Sequence, residues 1–440
     1  MRRIAWVAGA TMVLALGATA GAQQAAPRAG MAPESAPAAS LPTTTALLRN
    51  YVRSGKVPGV VAAIGRGDAP PVMIAEGKVA DDGAAADARS LWRVYSMTKP
   101  ITAMAAMMLV EDGKLRLDQP LSELIPAFAN MTVLANPDAA EGLATRPAAR
   151  PITIRHLLTH TAGLGYNIIT KGPLLKEYER TGILPAQVNA AVEAQARKVR
   201  PASLEEFANR VATLPLIADP GTKWSYSIGL DVMGRVIEVA SGMSFDRFLQ
   251  TRLFEPLKMS SSFFTVPAGD VGRFATAYTF VGDNRLPFDP ARSSVYLTPP
   301  SFPYGGAGLV MSAGDYDRFL HMLQNGGTLD GVRVMRPETV KLAMSNLLPD
   351  GVAFRGVGAA TGGTSGPRQG FGAGGSVYLD DVPGGPGAGT YGWGGAAGTV
   401  AWVDPKNQVR GTAMVNYFPA DRYPLRQDVT RAVYADVARR

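Results

Sequence analysis

Hydrophobic positions recur at helical spacing from Thr43 onward, at Leu47, Leu48 and Tyr51, and predict an opening helix. Residues 57–79 alternate in two runs joined around Gly67-Asp68-Ala69-Pro70, the pattern of a strand pair. From Ser96 to about Glu111 the chain is apolar on every side, as a helix buried at the centre of a molecule must be. Asp112-Gly113 ends it. A short helix is predicted at 153–158, with Thr153 as its N-cap. Residues 165–255 read as mostly helical. Within them Ser203-Leu204-Glu205-Glu206 is a capping box, and a helix running from Asp231 to Ser241 stops at Gly242. A further helix at 315–325 is stopped by Gly326-Gly327. Glycine then dominates 356–392, in which 376–379 reads as a strand. Residues 399–403 and 412–417 form two more strands around a turn at Asp404-Pro405-Lys406-Asn407, and 425–437 is a closing helix.

Strands therefore sit at both ends of the chain and helices lie between. The simplest topology is an α/β fold of the α+β kind. An antiparallel sheet is built from both chain ends and flanked by helices, and a mainly helical domain is inserted. The sheet part covers about 42–95 and 330–440, the helical part about 115–325, and no internal repeat is present. The Ser96 helix falls where the two parts meet, a favoured place for chemistry.

The N-terminus reads as a separate segment. Met1-Arg2-Arg3, an apolar run over 4–18 and Ala20-Gly21-Ala22 have the form of a signal peptide over residues 1–22. The run is short for a membrane span, so no stable membrane anchor is expected. Residues 23–41 are Ala/Pro-rich and read as a disordered leader. A periplasmic or secreted protein follows, with residues 42–440 as its ordered domain.

Composition narrows the chemistry. The 440 residues are 46% hydrophobic, enough for a large core, and the net charge of +8 is spread without a basic cluster. A nucleic-acid partner is not implied. There is no cysteine, which excludes disulfides and thiolate catalysis. The three histidines are His156, His160 and His321. The first two lie in or beside a helix end and turn, where a ring bonds backbone more readily than it carries protons. No Gly-x-Ser-x-Gly elbow occurs, so a histidine triad is not expected.

Another arrangement is available. Ser96 and Lys99 lie three residues apart at a helix start, on one face, with the serine at the positive end of the helix dipole. A buried neutral Lys99 could take the serine proton. A second candidate base is Tyr226, where 220–231 turns at Pro220-Gly221 and enters a helix. Alone, such a tyrosine would be packing; beside a lysine, its phenolate is favoured. The third stretch is Tyr391-Gly392-Trp393-Gly394-Gly395-Ala396, where small residues let backbone N–H groups approach a ligand.

These three stretches, in this order, resemble the serine β-lactamase and penicillin-binding protein family, whose signature is S-x-x-K, then S-D-N, then K-T-G. The similarity is closest to the branch holding class C β-lactamases and family VIII carboxylesterases, and spans about 43–418. The resemblance implies Ser96 as the acylated nucleophile, Lys99 as its proton acceptor and Tyr226 as the lysine's partner. It also implies the N–H groups of Ser96 and Ala396 as the oxyanion hole. Trp393, Gly394 and Gly395 would contact substrate, with Tyr166, Trp224 and Tyr304 as candidate pocket walls. No metal or organic cofactor is implied.

Two departures steer the substrate. Class C β-lactamases carry asparagine two residues after the tyrosine, where this chain has Ile228. Trp393 stands where they carry the lysine of the third motif, in the region that receives a substrate carboxylate. The expectation is an exported carboxylesterase for neutral, short-acyl substrates. The alternatives are a D-Ala-D-Ala carboxypeptidase or D-aminopeptidase, a weak β-lactamase, or a non-catalytic binding protein on the same scaffold. Transfer of the acyl group to an alcohol uses the same residues. The sequence leaves the oligomeric state open.

Overall fold

The two ends of the chain meet in one sheet. The computed structural model describes residues 40–138, 140–356 and 367–439. Seven antiparallel strands lie in the order Gln369–Phe371, Ser376–Tyr378, Tyr391–Gly394, Val400–Asp404, Val409–Met414, Gly59–Arg66 and Val72–Gly77. The N-terminal strand pairs with the last one in the register Val61↔Met414 to Arg66↔Val409. The turn foreseen after Asp404 forms, with the Asn407 N–H donating to the Asp404 carboxylate at 3.0 Å.

Period-two alternation sends successive residues of Gly59–Arg66 to opposite faces. Val60, Ala62 and Ile64 join Leu48, Tyr51, Val429 and Val433 from the helices Pro42–Arg53 and Leu425–Val437. Val61 and Ala63 face a larger core with Met104 and Phe319. Both faces are covered, so the strand is buried up to Gly65 rather than half exposed. The two outer helices are stapled by Asp436, whose carboxylate accepts from the Thr43 and Thr44 N–H groups at 3.0 and 2.9 Å.

The serine helix, Thr98–Glu111, is buried from Thr98 through Leu109, as its all-round apolarity requires. The foreseen helices are present at Ile154–Leu158, Leu204–Ala212 and Gly229–Ser241, capped by Thr153, Ser203 and Gly242. Gly172–Thr181 and Ala190–Ala196 add two more. A small sheet of Leu91–Arg93, Val310–Ser312 and Ser262–Phe263 leads into the serine turn. There Arg93 is fully buried and paired with Asp289 at 2.5 Å. It also donates to the Ala275 carbonyl at 2.5 Å, and its backbone exchanges hydrogen bonds with Asn416.

Three expectations change. Helix Ala313–Gln324 falls in the stretch read as the helical insert, but it packs on the sheet through Phe319 and the Asp317–Arg410 pair at 2.8 Å. Gln369–Phe371 is a strand hidden from pattern reading by its glycine neighbours. Leu41, placed at the end of the leader, is buried against the outer helices. The signal peptide and most of the leader lie outside the described residues. Among those described, no helix is long and apolar enough to cross a membrane.

Candidate active site

Ser96 sits in a tight turn, Tyr95–Met97, that runs directly into the serine helix. Tyr95 enters it at φ +42, a strained value for a non-glycine residue. Its ring is wedged between Tyr296 and Phe418, at 6.3 and 5.5 Å. Lys99 follows one turn later. Its Nζ lies 3.3 Å from Ser96 Oγ and donates to the Gly306 carbonyl at 2.7 Å.

Tyr226 arrives from 130 residues away and donates from Oη to Ser96 Oγ at 2.7 Å. The loop that delivers it is fastened to His160. The Ser225 N–H donates to the His160 carbonyl at 2.9 Å, and the Ser227 N–H reaches His160 Nδ1 at 3.2 Å. His160 is fully buried; that burial, and then the Lys99 charge, push its pKa well below the ordinary histidine value. Its ring packs on Tyr226 at 4.8 Å. The histidine thus positions the tyrosine rather than serving Ser96 as a base. His156 caps its own helix, its Nδ1 accepting from the Thr153 N–H at 3.1 Å.

Strand Tyr391–Gly394 brings up the third stretch. Trp393 Nε1 points at Tyr226 Oη from 3.4 Å. Gly395 lies against the residue two before Ser96: a Cβ there would stand 2.2 Å from the Val94 carbonyl oxygen. Only glycine lets the strand end come so close. The N–H groups of Ser96 and Ala396 have no acceptor among the described residues, and Ala396 is exposed. Free backbone donors of this kind can stabilise a developing oxyanion. Arg426, from the closing helix, holds the carbonyls of Gly395 and Thr399.

The structure thus gathers Ser96, Lys99, Tyr226, Trp393 and Gly395 around one point. It does not place Tyr304 there. That ring is fully buried, stacked edge-on to Phe302 at 4.7 Å, and burial pushes its pKa up to about 12. Tyr304 is core, not cleft. Tyr166 is also buried. It backs the site, with Lys99 Nζ 5.3 Å from its ring centroid and the Tyr226 ring at 5.4 Å. Trp224 does join an aromatic group near Tyr226, together with Phe354 and Phe371, which sequence reading missed in the glycine-rich stretch and just ahead of it. Sequence reading also missed the role of Asp231, seen only as a helix starter. It is fully buried and accepts from the Gly306 N–H at 2.8 Å.

Comparison with known proteins gives the site a context. A family model described as Beta-lactamase matches residues 44–435. Protein Rv1367c of Mycobacterium tuberculosis is 36% identical over 77% of this chain and 80% of its own length. Esterase EstB of Burkholderia gladioli is 33% identical over 82% of this chain and 86% of its own. Among solved structures, EstCE1, described as a hydrolase with promiscuous acyltransferase activity, superposes with a TM-score of 0.70 at 26% identity, over 90% of this chain and 98% of that one.

Proposed function

The chain belongs to the Beta-lactamase family, and on that premise we propose that it cleaves neutral, short-acyl carboxylic esters through an acyl-enzyme on Ser96. The observation that carries the reading is one hydroxyl held by two proton-handling groups, Tyr226 Oη at 2.7 Å and Lys99 Nζ at 3.3 Å. Ser96 Oγ attacks the ester carbonyl, and its proton passes to the Lys99–Tyr226 pair. The N–H groups of Ser96 and Ala396 hold the oxyanion. The pair returns the proton to the departing alcohol, and water, activated by the same groups, releases the acid. The likeness to EstB and EstCE1 supports ester chemistry, and the acyltransferase activity of EstCE1 makes a second acyl acceptor worth trying beside water.

Neutral substrates are favoured because the third motif of this chain supplies no lysine. Trp393 occupies the lysine's place, and two nitrogens of Arg426 are committed to backbone carbonyls. Ile228 offers no amide-binding group and is buried. Phe354, Phe371 and Trp224 extend the apolar surface from Trp393. The proposal includes export, on the strength of residues 1–22.

A fluorophosphonate probe is expected to label the wild-type protein at Ser96 and to leave Ser96→Ala unlabelled. In a panel of p-nitrophenyl esters of rising acyl length, nitrocefin and a D-Ala-D-Ala peptide, the short esters should turn over fastest. Faster turnover of the lactam or peptide would replace this reading with a peptidoglycan-directed one. Absence of labelling would leave a binding protein.

A further inference from the structure

Asp231 is a carboxyl sealed inside the protein beside a lysine, and the chemistry proposed for Ser96 does not use it. It stands in the first turn of helix Gly229–Ser241 and is fully buried. Its Oδ1 accepts from the Gly306 N–H at 2.8 Å, and its Oδ2 has no hydrogen-bond partner among the described residues. The carbonyl of the same glycine accepts from Lys99 Nζ at 2.7 Å. Thr102, one turn further along the serine helix, holds the Gly305 carbonyl at 2.7 Å. Gly306 leaves room for the acid: a Cβ there would lie 2.5 Å from Asp231 Oδ2 and force the carboxyl to shift. A single residue thus joins the buried acid to the catalytic lysine.

The titratable groups facing Asp231 are few. Lys99 comes from the serine helix, and Tyr166 from the loop after Ile154–Leu158, its pKa raised well above ordinary by burial and then by Asp231. Tyr226 comes from the loop ahead of Asp231's own helix. From helix Leu204–Ala212, Glu205 meets Arg235 at 3.0 Å further along Gly229–Ser241. Asp246 and Arg247 of helix Phe245–Leu249, packed on the same helix, are exposed. Burial raises the Asp231 pKa to about 7, against the opposing pull of Lys99 and the Gly306 N–H.

We propose that Asp231 is a positioning residue for Lys99: through Gly306 it fixes where the amine stands against Ser96, and its gain or loss of a proton sets the charge the lysine faces. The inference rests on the reading of Ser96 and Lys99 given above. Protonated, Asp231 is a neutral acid. When it ionises, the proton leaves to solvent and a carboxylate faces Lys99.

Infrared difference spectroscopy on the full chain tests this without turnover. The carbonyl band of a protonated buried carboxyl should titrate near pH 7, in Ser96→Ala as in wild type, and be absent from Asp231→Asn. In Lys99→Met the midpoint should rise by about one unit or more, because the cation that favours the carboxylate is gone. In kcat/KM for p-nitrophenyl acetate, an ionisation near pH 7 should be present in wild type and missing from Asp231→Asn, which keeps the Gly306 contact. Asp231→Ala, which loses it, should lower kcat about tenfold with little change in KM. A carboxyl already ionised well below pH 7 overturns the proposal, as does a midpoint indifferent to Lys99 or a pH profile unchanged in Asp231→Asn. If the wild type is not labelled at Ser96 but the band behaves as described, the Ser96 reading has failed and the Asp231–Lys99 coupling stands.

Discussion

The proton-carrying role proposed for Tyr226 separates cleanly from its role as a packed ring. Tyr226→Phe keeps the ring contacts to Tyr166 at 5.4 Å and Trp393 at 5.8 Å while deleting the 2.7 Å hydrogen bond. We expect kcat for short esters to fall by about 10²- to 10⁴-fold, with the thermal unfolding midpoint nearly unchanged. At this scale the sequence was most readable where chemistry is local. Ser96 and Lys99 are one turn apart, so their meeting is a property of helix geometry alone. That Tyr226 would join them across 130 residues was carried by resemblance, and the structure adds the reason, a loop fastened to the backbone and ring of His160. From the sequence Asp231 reads only as a helix start, and Tyr304 as a candidate pocket wall. An acidic residue in a first helical turn looks solvent-facing, and an aromatic beside two glycines looks like a pocket wall. Only the packing of Gly305 and Gly306 against the Gly229–Ser241 helix shows otherwise.

Among elements, the strand end after Tyr391–Gly394 bears most directly on catalysis. Gly395 fits under the Val94 carbonyl because it has no side chain. Gly395→Ala should push Ala396 away from the serine turn. We expect a fall in kcat of about 10²-fold, the loss typical of a misplaced reacting group, with the fluorophosphonate still reaching Ser96 at a reduced labelling rate. Elements with their own start and stop chemistry were legible: the Thr153 and Ser203 caps, the Gly242 stop and the hairpin turn after Asp404 all appear where expected. Elements whose existence depends on a neighbour were not. Gln369–Phe371 is a strand only because Ser376–Tyr378 pairs with it. The Tyr95–Met97 turn holds its strained entry only because Tyr296 and Phe418 confine the ring.

Across the whole molecule, the parts are fastened by buried ion pairs at the seams. Arg93 and Asp289, 0% and 1% exposed in their side chains, tie the strand before the serine turn to the segment ahead of Ser294. Asp289→Asn leaves the guanidinium without its counter-charge and should cost about 3–5 kcal/mol, read as a lower urea midpoint with activity lost in the same transition. The overall architecture was foreseen from strands at both ends and helices between; the side of the seam on which Ala313–Gln324 packs was not, because its amphipathic pattern suits either neighbour. The pairing of Gly59–Arg66 with Val409–Met414 has a consequence for synthesis. Ser96 leaves the ribosome early, but the sheet lacks the strand between Val400–Asp404 and Gly59–Arg66 until Val409–Met414 has been translated. A product terminated before that strand would leave Gly59–Arg66 unpaired along one edge, a surface that invites pairing with other chains.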